Sequence, residues 1–116
     1  MEISSYQLRI NVEEKYYEEV SSIIGLKPKS YKYGWSYEII LEEEKENYNV
    51  ISKFLDILDG KYKELNKFNI RNSDITVWLI YGYNNQCNIE FDPKVLKRLG
   101  ENEITLCISC YEVGNG

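Results

Sequence analysis

The sequence contains no histidine. That removes the usual general base near neutral pH, the commonest transition-metal ligand, and every dyad pairing histidine with serine or cysteine, so most hydrolase schemes are excluded. Cysteine is scarce: Cys87, Cys107 and Cys110 cannot all pair within one chain, which fits a reducing compartment. No apolar run approaches the about 18 residues that cross a bilayer. The opening residues, Met1-Glu2-Ile3-Ser4-Ser5-Tyr6, lack the basic and apolar regions of a secretory leader. A cytoplasmic location with no membrane contact is expected. Gly82 and Gly100 are isolated, and neither G-x-G-x-x-G nor G-K-S/T occurs, so no phosphate-cradling loop and no cofactor are expected.

What remains is ordinary material for a folded domain. At 116 residues the chain has room for one domain and one core, and with 43% hydrophobic and 28% charged residues it is composed to pack. Nineteen acidic against 14 basic side chains leave a net charge of -5, which disfavours nucleic acid and suits a basic partner. Cys107 and Cys110 have C-x-x-C spacing, but residues 104–111 alternate like a strand, which sends the two sulfurs to opposite faces. A redox pair needs a helix N-terminus instead, so packing is the expected role and no metal site is predicted.

Residues 6–12 place Tyr6, Leu8, Ile10 and Val12 on one face of a first strand. Residues 13–24 carry Tyr16, Val20, Ile23 and Ile24 at helical spacing, with Gly25 as the stop and Pro28 barring resumption. Residues 35–41 form a second strand. A helix with the stripe Ile51, Phe54, Leu55 and Leu58 follows, capped by Asn47 or Asn49 and ending at Gly60; Tyr62, Leu65 and Phe68 mark a shorter piece. Residues 75–81 make a third strand, with a turn at residues 82–85 and an antiparallel return over residues 86–91. Asp92-Pro93 opens a last helix lined by Val95, Leu96 and Leu99 and stopped by Gly100, and residues 104–111 close as a fifth strand. The expected fold is α+β: a five-stranded antiparallel sheet with helices on one face, in two ferredoxin-like β-α-β halves separated by a helical insertion.

Three surfaces are candidates for function. With Leu8, Ile10, Ile39, Val77, Ile89 and Ile108 under the helices, the opposite sheet face carries Ile40, Trp78, Ile80 and Tyr111. This apolar patch with a charged rim suits another protein or a second copy, unless the inserted helix or a loop folds over it. Residues 27–35 interleave Lys27, Lys29 and Lys32 with Tyr31, Tyr33 and Trp35, which can stack bases or sugars and pair with phosphates, or merely connect elements while Trp35 enters the core. Glu42, Glu43 and Glu44 begin an acidic run that can mimic a polyanion or be only a solvated face. Glu38 and Glu90 are the one carboxylate pair placed on strands that acid–base catalysis can use, which requires a pocket holding both.

Tyr6-x-Leu8-x-Ile10, Ile23-Ile24-Gly25-Leu26-Lys27-Pro28, Gly34-Trp35-x-Tyr37, Leu96-x-x-Leu99-Gly100 and the closing Ile108-x-x-Tyr111 together resemble the small bacterial family catalogued as domain of unknown function 4279. The resemblance spans nearly the whole chain, and its most specific part is the Ile-Gly-Leu-x-Pro turn followed by Gly-Trp. It implies a small bacterial domain without agreed catalytic residues. By analogy, a small acidic bacterial protein can serve as an immunity protein that neutralises a toxin. The leading expectation is therefore a non-enzymatic protein-binding domain, with small-ligand or nucleotide binding by residues 27–35 as the alternative.

Overall fold

Alternation and capping place the elements in a computed structural model that describes residues 3–28, 34–42, 50–84 and 88–113. Strands β1 (Ile3–Ile10), β2 (Trp35–Glu42), β3 (Ile75–Tyr83) and β4 (Thr105–Glu112) form one sheet in the order β2-β1-β3-β4. Helix α1 (Tyr17–Ile24) follows β1; α2 (Val50–Leu58) and the short α3 (Tyr62–Asn66) lie between β2 and β3; α4 (Pro93–Glu101) connects β3 to β4. The fold is α+β, and no described helix is long and apolar enough to cross a membrane.

The helices cover one side of the sheet. Tyr6, Leu8 and Ile10 of β1, Trp35 of β2, and Ile75, Val77 and Leu79 of β3 all point into the core, where Val20, Ile24, Phe54, Leu55, Leu58 and Leu99 meet them. Local chemistry sets the helix ends. Gly25 takes φ +81° and its N–H bonds to the Ser21 carbonyl at 2.8 Å, a left-handed stop that a Cβ makes costly. At α4, the Asp92 carboxylate accepts the Lys94 N–H at 2.8 Å and Pro93 opens the first turn. Burial removes water from the phenols of Tyr6 and Tyr62 and raises both pKa values above 10.0; the Asp59 carboxylate adds to the rise at Tyr62.

The sign of that shift fixes a pH effect. Folding favours the neutral phenol, so the stabilisation is intact below pH 10.0 and is lost as pH rises through the elevated values. Alkaline titration of tyrosinate absorbance should show a late component that Tyr6→Phe removes, with the melting midpoint falling over the same range. An unchanged titration in Tyr6→Phe would contradict burial of that hydroxyl.

The described sheet departs from the five-stranded antiparallel expectation. It has four strands and is mixed: β1 pairs antiparallel with β2 and β3, whereas β3 and β4 are parallel. Of residues 86–91, expected as a returning strand, 86–87 lie outside the described residues and 88–91 are irregular; Ile89 and Phe91 are half-buried because the loop lays them against the core. The connectivity is also not ferredoxin-like. In that arrangement the strands of each β-α-β half are parallel and flank a third, but here β1 and β2 are antiparallel neighbours, with Ile10 beside Trp35. Alternation dictates which face a side chain takes and carries no information on neighbour or direction.

Smaller boundaries move too. The first strand is Ile3–Ile10 rather than residues 6–12, and β3 runs through Gly82 instead of turning there. Gly100 does not stop α4, which continues to Glu101 and closes through Asn102 and a left-handed Glu103. Ile108 is on the helix side, opposite Leu79, yet 47% exposed because β4 is an edge strand.

Candidate functional site

The other side of the sheet is bare of the described helices, and strand register orders it into rows. Across β2-β1-β3-β4 one row reads Glu38, Gln7, Trp78, Cys107, and the next Ile40, Ser5, Ile80, Ser109. The first row is held by polar contacts. The Glu38 carboxylate accepts hydrogen bonds from the Ser5 hydroxyl and from Gln7 Nε2, the latter at 2.8 Å. Gln7 Oε1 in turn accepts from Arg9 Nε at 2.8 Å. This chain places the Arg9 guanidinium 4.1 Å from the centre of the Trp78 ring, whose Nε1–H donates to Thr76 Oγ1 at 3.1 Å. Trp78 is therefore braced on its face and at its nitrogen, which holds the ring in one orientation.

The apolar end of the face is less covered. Ile40 is 58% and Tyr111 47% exposed, and Ile80 is half-buried. Ile40 and Ile80 stand two strands apart, about 10 Å, with the small Ser5 between them. Gly82 faces Tyr111 across the β3–β4 ladder, and a Cβ there would lie 2.8 Å from Tyr111 Cζ and 2.9 Å from Val113 Cγ1. The tyrosine ring thus rests on bare backbone. This role of Gly82 escaped the sequence reading, which placed it in a turn; the signal was a glycine within an otherwise continuous β-branched and aromatic run.

The remaining candidates separate. Lys29, Tyr31, Lys32, Tyr33, Glu43 and Glu44, with the side chain of Glu42, lie outside the described residues; Glu42 is the last residue of β2. Trp35 is fully buried and its Nε1–H donates to the Ser21 hydroxyl at 2.9 Å, so it cannot stack on a ligand. Glu38 belongs to the bare face, whereas Glu90 lines a cavity of about 170 Å³ on the helix side with Tyr6, Tyr81, Asp92 and Val95, so the fold does not bring the two carboxylates together. Cys107 and Cys110 fall on opposite faces of β4, and no cluster able to hold a metal occurs among the described residues. No family model, no curated protein and no solved structure matches the chain.

Proposed function

We propose that this is a non-enzymatic domain that binds another protein through the bare sheet face, with Trp78, Ile80, Ile40 and Tyr111 as the contact residues. The observation that carries this reading is the braced Trp78 beside an exposed aliphatic and aromatic patch on a face that no described helix covers. Interfaces concentrate their energy in rigid aromatic anchors ringed by polar groups, and the chain from Ser5 through Glu38 and Gln7 to Arg9 supplies such a rim. The net charge of -5 favours a basic partner, the setting in which an immunity protein neutralises a toxin, and the bacterial family the chain resembles is the proposed context.

Affinity capture with the wild type and with the double variant Trp78→Ala, Tyr111→Ala tests the proposal. Loss of the two rings is expected to weaken the partner by about thirtyfold, the effect of removing a hot spot of about 2 kcal/mol. Both side chains are at least partly exposed, so the variant should keep the wild-type circular dichroism. Capture of the same partners at the same strength by both proteins would end the proposal.

A further inference from the structure

The segment that leads into α4 alternates between core and solvent. Ile89 and Phe91 are half-buried against the core, whereas Asn88, Glu90 and Asp92 are exposed. This alternation gives the cavity of about 170 Å³ on the helix side an inner end and a rim. At the inner end β1 and β3 supply Tyr6 and Leu79, opposite each other in register and only 4% and 1% exposed. Phe91 and the first-turn Val95 of α4, both half-buried, come next, and Glu90 and Asp92 stand at the rim.

The two ends favour different chemistry. Burial alone raises the pKa of the Tyr6 phenol, so the inner end is poorly hydrated and unfavourable to charge. An apolar group gains there, and a cavity of about 150 Å³ is enough to take up a benzene ring. At the rim, the start of α4 would by itself attract an anion, since open N–H groups and the helix dipole both favour negative charge. Its first turn is already satisfied. Pro93 has no N–H, the Lys94 N–H donates to Asp92 Oδ1 at 2.8 Å, and the Val95 and Leu96 N–H groups donate to the Asp92 carbonyl at 3.0 and 3.1 Å. The rim therefore presents the negative charge of Glu90 and Asp92. No lysine or arginine is among the described residues that line the cavity, and neither carboxylate has an ion pair among the described residues. The net charge of -5 adds a field of the same sign.

We propose that this cavity binds a small arylalkylamine, with the aromatic ring inside against Tyr6, Leu79, Phe91 and Val95 and the ammonium group at the rim beside Glu90 and Asp92. The ring gains from burial and from contact with the Phe91 and Tyr6 rings, and the ammonium from charge-assisted hydrogen bonds to the carboxylates. A carboxylate-bearing arene of the same shape meets like charge at the mouth and is rejected. Tyr6 and Leu79 pair directly before Gln7 and Trp78 in the β1–β3 ladder, so the cavity opens on the opposite side of the sheet from Trp78 and is independent of the protein-binding face.

Phenethylamine titrated into the full chain at low salt, followed by backbone amide chemical shifts, should saturate with a dissociation constant of about 1 mM or lower and move the resonances of residues 88–95 most. Phenylpropionate, which carries a carboxylate in place of the ammonium, and butylamine, which lacks the ring, should each bind at least about tenfold more weakly. The double variant Glu90→Gln, Asp92→Asn should weaken phenethylamine by about tenfold, and because asparagine caps a helix as well as aspartate does, its circular dichroism should match the wild type. Trp78→Ala should leave amine binding unchanged. No saturable shift at residues 88–95 up to about 10 mM phenethylamine overturns the proposal. So does equal affinity for phenylpropionate or butylamine, or undiminished phenethylamine binding in the double variant.

Discussion

Phe54→Ala is expected to lower the unfolding free energy by about 3–5 kcal/mol, a large share of the about 5–15 kcal/mol that holds a domain together. Phe54 is fully buried on α2, and its ring meets Tyr37 of β2 edge-on, with centroids 6.5 Å apart and planes at 82°. The substitution therefore removes buried area, leaves a cavity between α2 and the sheet, and breaks an aromatic pair worth about 0.5–1.5 kcal/mol beyond burial. Neighbouring Leu55 and Leu58 belong to the same buried stripe and limit how far the site can collapse. Urea denaturation measures it; a loss under about 1 kcal/mol would remove Phe54 from the core.

Trp35→Ala should cost a similar about 3–5 kcal/mol, for a different combination of reasons. Its side chain is wholly buried, and its indole N–H is the donor to Ser21 of α1. Truncation opens the largest cavity any single substitution to alanine can make and leaves the half-buried Ser21 hydroxyl without that donor. Trp35→Phe separates the two, keeping most of the volume while losing the hydrogen bond, and should cost about 1–2 kcal/mol. With Trp35 gone, fluorescence comes from the half-exposed Trp78 alone and should shift to longer wavelength. Equal melts for wild type and Trp35→Ala would contradict the buried placement.

Both residues were legible in the sequence. Phe54 stood in a stripe with Ile51, Leu55 and Leu58, and Trp35 alternated with Tyr37 and Ile39, because periodicity records which side of an element faces away from water. Gly25 and Asp92-Pro93 were equally readable, since a left-handed stop favours a residue without a Cβ and a capped first turn favours an acceptor side chain followed by proline. Neighbour order was not: the residues of β1 alternate in the same way whether β2 lies beside them or one strand away. Gly100 misled because a solvent-facing helix tolerates glycine at a cost too small to end it. Of the candidate site, Trp78 and Tyr111 could be assigned to the outward face from alternation, but Arg9 over Trp78 and Gly82 beneath Tyr111 depend on register between strands distant in sequence.

The placement of β1 bears on how the chain matures on the ribosome. Of the four described strands, the earliest in the sequence occupies the interior of the sheet, with β2 on one side and β3, ending at Tyr83, on the other. At about 5–20 residues per second, roughly four to fifteen seconds separate the emergence of its last residue, Ile10, from that of Tyr83. For most of that interval, until Ile75 and Val77 emerge shortly before Tyr83, Ile10 and Leu8 lack these eventual neighbours, so the nascent protein passes through a stage in which its future centre is an open flank.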